Sequence, residues 1–493
     1  MKKSSLFKFI SGALAIFLLC PLLASCANNS GTTPTDTDDD AVTDVQTSIE
    51  DTLKMDVNYE DYSFNIYLSA QGGRTPNDFK YTDITKVMDS ARYKKNALVE
   101  KNYGVVISCD EELSVSHGGK AYEKIFRQYA SSETDYDMLL VNGYDTSNLA
   151  LEGCLYDIET LPNINTSNSW WDQSAKRDLT ISGSLYYTHG ALSTINDDFT
   201  FCVVFNKDLY KSIIGQSTDQ LYQLVEDGKW TFDKLDELAK VGAKDLNGDQ
   251  TMDSRDMFGL MLWDSELNAS INAVGNKFAS INEDGKVELT LYSEKTNEVV
   301  NKMVTIGHSD YAYNFQHPSG NVAWYDMFTQ NQVLFFMSMF NEVERFRDMQ
   351  TDYGIIPNPK LDEESPYYAP VSNWHSAFIS VPAMIDDEDK VSNIIELLGY
   401  HSEKTLSPAY YEKTLKGTYV RDDESVDMLD IILGNRIYDV GFLYLVGELP
   451  QKVTQLIVNN NPGGLASVYQ STLNNANSDI RALNQRIEVL KNS

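Results

Sequence analysis

Between residues 62 and 68 apolar and polar side chains alternate at the centre of Tyr62-Ser63-Phe64-Asn65-Ile66-Tyr67-Leu68. That two-residue period is the mark of a strand whose faces meet different surroundings. Short apolar runs at 103–107, 136–141, 185–187, 201–205, 333–337, 353–357 and 377–381 predict further strands, the second of them stopped by Asn142-Gly143. The stretches between them carry the helical period. Ala121, Ile125, Phe126 and Tyr129 repeat at three- and four-residue spacing, as do Ile480, Leu483, Ile487 and Leu490 near the C-terminus. Thr231 is placed to cap a helix in which acidic residues fill the first turns and Phe232, Leu235 and Leu238 share a face. Strands separated by helical stretches predict βαβ units, an α/β fold and mainly parallel sheets. The chain is 493 residues long, more than one core holds, so two or more lobes are expected.

The N-terminus has a different pattern. Lys2, Lys3 and Lys8 lead into an apolar stretch over 9–20, interrupted by Ser11 and Gly12 and followed by Pro21. This layout predicts a signal peptide over 1–25 and weighs against a membrane span. Leu23-Ala24-Ser25-Cys26 resembles a bacterial lipobox, which makes Cys26 the residue expected to carry lipid. Two acyl chains there would hold the protein stably at a bilayer. Residues 26–56 are dominated by Ser, Thr, Asn, Gly and Asp, with almost nothing to bury, and read as a disordered tether. The expected location is therefore the outer face of the cytoplasmic membrane.

The formal charge is −32, from 40 Lys and Arg against 72 Asp and Glu. Such acidity argues against nucleic acid and anionic membrane surfaces as partners. After Cys20 and Cys26 the remaining cysteines, Cys109, Cys154 and Cys202, sit in or beside apolar runs and read as buried thiols, with one disulfide left open.

Five short motifs occur in one order: Gly183-Ser184-Leu185-Tyr186-Tyr187; Val204-Phe205-Asn206-Lys207-Asp208-Leu209-Tyr210; Gly228-Lys229-Trp230-Thr231-Phe232-Asp233-Lys234-Leu235; Phe258-Gly259-Leu260; and Tyr353-Gly354-Ile355-Ile356-Pro357-Asn358-Pro359-Lys360. In motif and order they resemble the extracellular solute-binding proteins of ABC importers, in the maltose-binding-protein-like cluster. The resemblance spans roughly 60–440. It implies a two-lobed periplasmic-binding-protein-like fold, each lobe a mainly parallel sheet flanked by helices, with hinge strands between them. Lobe 1 would hold 57–192 and 338–378, and lobe 2 would hold 193–337 and 379–493. A monomer is expected that captures a small solute, with carbohydrate or oligosaccharide as the expected class, and delivers it to a membrane permease. An exported glycan- or peptide-active hydrolase and a surface adhesin or scaffold are the alternatives.

Sugar clefts combine flat apolar faces with carboxylates or amides, so aromatic residues beside Asp or Asn in strand-end loops are the candidates. By position these are Asn142, Tyr144 and Asp145; Trp263 with Asp264; Asn373 and Trp374 with His375; and Trp324. Similar proteins carry an acidic contact near Asn196, Asp197 and Asp198. If the two aspartates lay on a strand they would face opposite ways and could not flank one glycosidic bond. The loop 245–256 offers Asp245, Asn247, Asp249, Thr251 (through its backbone carbonyl), Asp253 and Asp256 in EF-hand-like order, a candidate for structural Ca²⁺. Gln250 replaces the usual glycine there, and Asp256 the usual glutamate. No catalytic cofactor is expected, because G-x-S-x-G, H-E-x-x-H, a phosphate loop and a dinucleotide turn are all missing from the sequence.

Overall fold

A computed structural model describes residues 53–70, 77–113, 119–346, 348–412 and 424–492. The signal peptide, Cys26 and nearly all of the tether lie outside the described residues. In chain order the strands are β1 (Tyr62–Ala70), β2 (Val105–Leu113), β3 (Met138–Asn142), β4 (Phe201–Asn206), β5 (Phe258–Leu262), β6 (Ala279–Ile281) and β7 (Val287–Leu289). They continue with β8 (Ala312–Asn314), β9 (Val333–Met339), β10 (Tyr353–Ile356), β11 (Ala369–Pro370), β12 (Ala377–Ser380) and β13 (Arg436–Ile437).

Two sheets organise nine of these strands, while β6 pairs with β7 and β11 with β13 as separate ribbons. The first has the order β12-β3-β1-β2, with β1 parallel to both β2 and β3 and β12 antiparallel on the edge. The second has the order β10-β4-β9-β5-β8. The expectation of mainly parallel sheets holds in the first and needs correction in the second. There β5 runs parallel to β8 and β9, but β4 is antiparallel to both β9 and β10. Strands β3, β4, β5 and β9 are buried along their whole length, covered on both faces, which is why they read as nearly unbroken apolar runs. Leu139 and Val141 point into one core while Met138 and Leu140 point into another; Val203 and Phe205 separate in the same way from Cys202 and Val204. One of these cores is common to both sheets, since Leu139, Val141, Val203 and Phe205 belong to it.

The helices form where the periodicity puts them. Helix Lys120–Ala130 buries Ala121 and Ile125. Helix Phe232–Gly242 is capped by the Thr231 side chain, which accepts from the Lys234 N–H at 3.3 Å. Helix Leu465–Lys491 buries Ile480, Leu483 and Ile487. It also joins separate parts of the fold: Asn484 bonds the backbone of Val287 at 2.9 and 2.8 Å, and Lys491 donates to the Ser182 carbonyl at 2.7 Å. Among the described residues no helix is long and apolar enough to cross a membrane.

Three placements differ from the sequence reading. Residues 185–187 are not a strand; the Leu185 N–H donates to Asp157 at 2.9 Å and its carbonyl accepts from Ile158 at 2.8 Å, so single contacts replace a ladder. Residues 338–378 do not stay with the first sheet, because β10 pairs with β4. Residues from 379 onward do not all belong to the second, because helix Glu388–Glu412 packs on helix Val87–Tyr103 and shares a core with β1. Between the sheets, Thr200 bridges Val371, the Ser372 N–H donates to the Phe199 carbonyl at 2.9 Å, and β11 pairs with β13. Cys109, Cys154 and Cys202 are free thiols.

Candidate functional site

β3 ends on a polar residue that turns at once into a helix, and β5 is followed by a short turn into another. Asn142 closes β3 by capping helix Gly143–Glu152, its Oδ1 accepting from the Asp145 N–H at 3.0 Å. After β5, Trp263 and Asp264 lead into helix Glu266–Ala273. These ends, the approach to β12 and helix Leu449–Val458 enclose a cavity of about 420 Å³.

Tyr144, Trp374 and Asn373 reach this cavity from the first sheet, and Trp263 and Phe201 from the second. The C-terminal helices add Phe442, Gln451, Thr454 and Gln455. Trp263 is held among other rings: Phe201 at 6.2 Å, Phe315 nearly parallel at 6.1 Å and His375 at 6.3 Å between centroids. His375 stacks on Phe199 at 4.7 Å and shares a hydrogen bond with the Ser372 hydroxyl at 3.0 Å.

Among the described residues lining this cavity there is no Asp, Glu, Lys or Arg. Its polar groups are amides, hydroxyls and one imidazole. Asn268 donates to the Pro450 carbonyl at 3.1 Å and to Thr454 at 2.9 Å, while its Oδ1 is buried without a partner. Burial pushes the Tyr144 phenol above its ordinary range, so it faces the cavity as a neutral hydroxyl. Behind Trp263 lies Glu266, fully buried, which accepts the indole N–H at 2.7 Å. Burial raises its carboxyl to about 8 against the opposing pull of that hydrogen bond.

Of the residues picked out from sequence, Tyr144, Trp263, Asn373, Trp374 and His375 line the cavity together. The others are placed elsewhere. Asn142 and Asp145 are buried and bonded to each other, and Asp145 also accepts from the Gly119 N–H at 2.7 Å. Asp264 accepts from Asn314 at 2.7 Å and faces His317 at 2.9 Å. Trp324 stacks on Phe315 at 5.0 Å and receives Arg345 over its ring at 5.6 Å. Asp197 and Asp198 lie in the helical turn Ile195–Asp198, not on a strand, which corrects the geometric ground for setting them apart. Asp197 pairs with Arg436, and Asp198 accepts from Tyr410 at 3.1 Å.

Asp197 borders a second cavity, of about 300 Å³, together with Asp172, His189, Glu403 and Arg436. Arg436 also pairs with Asp172 at 3.1 Å, and the Tyr438 hydroxyl donates to Asp172 at 2.8 Å. Burial opposes charge on Asp172, but Arg436 and these hydrogen bonds outweigh it and hold the carboxyl below its ordinary range. Burial, reinforced by Arg436, lowers His189 to about 3.

The acidic loop is closed by its own backbone. Asp245 accepts from the N–H groups of Gly248 and Gln250 at 2.6 and 2.9 Å, and Asp256 from those of Leu246 and Asp253, both at 2.9 Å. Asn247 and Asp249 accept from the N–H groups two residues on, and Thr251 donates one of these. Arg255 pairs with Asp249 at 2.9 Å and with Asp253 at 2.5 Å, supplying positive charge of its own. Among the described residues no group of three or more His, Cys, Asp or Glu converges as a metal set.

Sequence reasoning missed Phe201, Asn268, Asn272 and the Gln451, Thr454, Gln455 face. The available signal was spacing: Asn268 and Asn272 are four apart just after Trp263, and Gln451, Thr454 and Gln455 repeat at three and four.

No family model matches the chain, and neither does any curated protein. Solved structures do. A cyclic alpha-maltosyl-1,6-maltose binding protein from Arthrobacter globiformis aligns with a TM-score of 0.54 at 13% identity, covering 88% of this chain and 100% of that one. An ABC substrate-binding protein from Listeria monocytogenes in complex with cycloalternan aligns at 0.51 and 13%, over 88% and 98%. The maltose/maltodextrin-binding domain from Bdellovibrio bacteriovorus bound to maltotriose aligns at 0.51 and 15%, over 85% and 100%. The chain therefore has the two-lobed fold of ABC-transporter solute-binding proteins.

Proposed function

We propose that this chain captures a neutral, hydroxyl-rich solute, an oligosaccharide, in the 420 Å³ cavity between the sheets. The observation that carries this reading is the cavity's chemistry. In a chain with a formal charge of −32, the described lining holds aromatic rings, amides, hydroxyls and one imidazole, and no Asp, Glu, Lys or Arg. Rings such as Trp263 and Trp374 offer flat apolar faces to the C–H side of a sugar, amides such as Gln451 match its hydroxyls in both directions, and Asn268, its N–H groups engaged, offers Oδ1 as an acceptor. An ionic ligand would be left without a counter-charge in a partly dry site.

Sugar binding by the structural relatives named above supports the same reading. Delivery to an ABC permease, attachment through lipid on Cys26, an extracytoplasmic location and a monomeric state complete the proposal. The cavity serves for capture, without bond cleavage. The test is thermal unfolding of the soluble body against neutral oligosaccharides, acidic sugars and peptides. A ligand that binds only the native state at a hundred times its dissociation constant stabilises it by about 2.7 kcal/mol. A shift with a neutral sugar recovered intact is the expected result. Consumption of the sugar would show a hydrolase, and a shift with peptides alone would overturn the ligand class. The same assay examines Ca²⁺: with Arg255 paired to Asp249 and Asp253, the ion is expected to stabilise the wild type little and Arg255→Ala more.

A further inference from the structure

Trp263 forms the cavity wall on the second-sheet side, and something must decide which part of its indole meets a ligand. Neighbouring rings confine it but do not fix the direction of its N–H. That direction is set by Glu266, whose carboxyl Oε1 accepts the indole N–H at 2.7 Å and whose own backbone N–H donates to the Trp263 carbonyl at 3.1 Å. The two residues thus clasp each other through side chain and backbone together. Glu266 is fully buried, does not line the cavity, and leaves its Oε2 without a partner.

We propose that Glu266 is a positioning residue for the cleft, a neutral carboxylic acid that keeps the Trp263 N–H on the protein side and turns the apolar ring face toward the ligand. This rests on the proposed ligand cavity but concerns how its wall is set. A buried carboxyl with one unpaired oxygen is held neutral by its dry surroundings. Ionisation must bring water to Oε2, behind the indole, and that loosens the wall. The ionisable neighbours are few. Cys202 on β4 stands on the buried side and feels the Glu266 charge; His375 lies across the indole; Asp264, two residues earlier, is engaged by Asn314 and His317. The influences on Glu266 itself are burial, which raises its pKa to about 8, and the indole N–H, which lowers it. A bound ligand that dries the cavity raises it further. Affinity is then flat below about pH 8 and falls above it, by up to tenfold for each further unit of elevation.

The test reads the indole N–H directly, with no ligand required. The chain has six tryptophans, and the Trp263 cross-peak in a ¹H–¹⁵N spectrum is assigned by its loss in Trp263→Phe. From about pH 6 to about pH 9.5 this peak should move with a midpoint near 8 in the wild type and stay fixed in Glu266→Gln. At the acidic end Glu266→Gln should keep the peak near its wild-type position, because its amide oxygen still accepts. Glu266→Leu should displace it. A peak that ignores pH in the wild type, or titrates unchanged in Glu266→Gln, overturns the proposal. A parallel titration with maltotriose separates the two ideas. If the peak titrates as expected but neutral sugars do not bind, the ligand reading fails and the role of Glu266 stands. If maltotriose binds with an affinity independent of pH while the peak titrates, the setting of the indole by Glu266 does not reach the ligand, and the claim that Glu266 positions the wall for the ligand fails.

Discussion

Two cavities border the segments that connect the sheets, and they are built from opposite chemistry. The larger is lined by rings, amides and hydroxyls, with no charged side chain among the described residues. The smaller gathers Asp172, Asp197, Glu403 and Arg436 around a buried His189. Its charges are largely used within the protein, since Arg436 pairs with Asp172 on one side and Asp197 on the other. Asp172 and Asp197 precede β4, while Arg436 begins β13, so these pairs tie together distant parts of the chain. The difference teaches that charge here holds the connecting region together, while recognition, on the proposed reading, is left to neutral groups. Specificity then comes from shape and hydrogen bonding rather than from long-range attraction.

The largest expected effect breaks the charged cavity. Arg436→Ala leaves Asp172 and Asp197 without their cation and should reduce stability in urea unfolding by about 3–5 kcal/mol. A loss below about 1 kcal/mol would mean the pairs behave as exposed ones and the contrast is weaker than the contacts suggest. The next effect breaks the neutral cavity. Trp263→Ala should weaken oligosaccharide binding by about 2 kcal/mol, roughly thirtyfold, measured by calorimetry, with a smaller change in folding stability than Arg436→Ala.

A pH effect sharpens the contrast further. His189 is held near 3 when folded, below the ordinary histidine value of about 6.5. A depressed histidine gives stability that is fully present above its unfolded pKa and lost as pH falls through that window, by up to about 1.4 kcal/mol per unit. His189→Gln should therefore unfold less steeply in acid below about pH 6.5, read from unfolding midpoints across pH. The smallest expected effect is on the neutral cavity. Sugar affinity should change less than about twofold between low and high salt, since no ionic contact is there to screen.

Much of the fold was legible because its elements are defined locally. The runs at 138–141, 201–205 and 333–337 became strands because both faces of each sheet are covered, and a doubly buried strand has to be apolar throughout. Strand direction was less legible. The apolar run of β4 is the same whether it pairs parallel or antiparallel, and only the path of the connections decides. Residues 185–187 looked like a strand because burial, not a ladder, selects Leu185 and Tyr187.

The site was partly legible for a similar reason. Tyr144, Trp263, Asn373 and Trp374 follow from their positions at strand ends. Trp324 has the same composition around it, yet packs on Phe315 and Phe336 outside the cavity lining. Asn268 and Gln451 were missed because a polar face lining a cavity and one meeting water share a spacing. Glu266 was missed because nothing in Trp-Asp-Ser-Glu tells which carboxylate will be sealed behind the ring.

Isothermal calorimetry of the soluble body with maltotriose and longer neutral oligosaccharides, in wild type and Trp263→Ala, tests the central claim most directly. The expected result is saturable one-to-one binding to the wild type, the sugar recovered unchanged, and a loss of about thirtyfold in the variant. Binding that favours charged solutes, or sugar binding that ignores the loss of Trp263, would contradict a neutral ligand held against that wall.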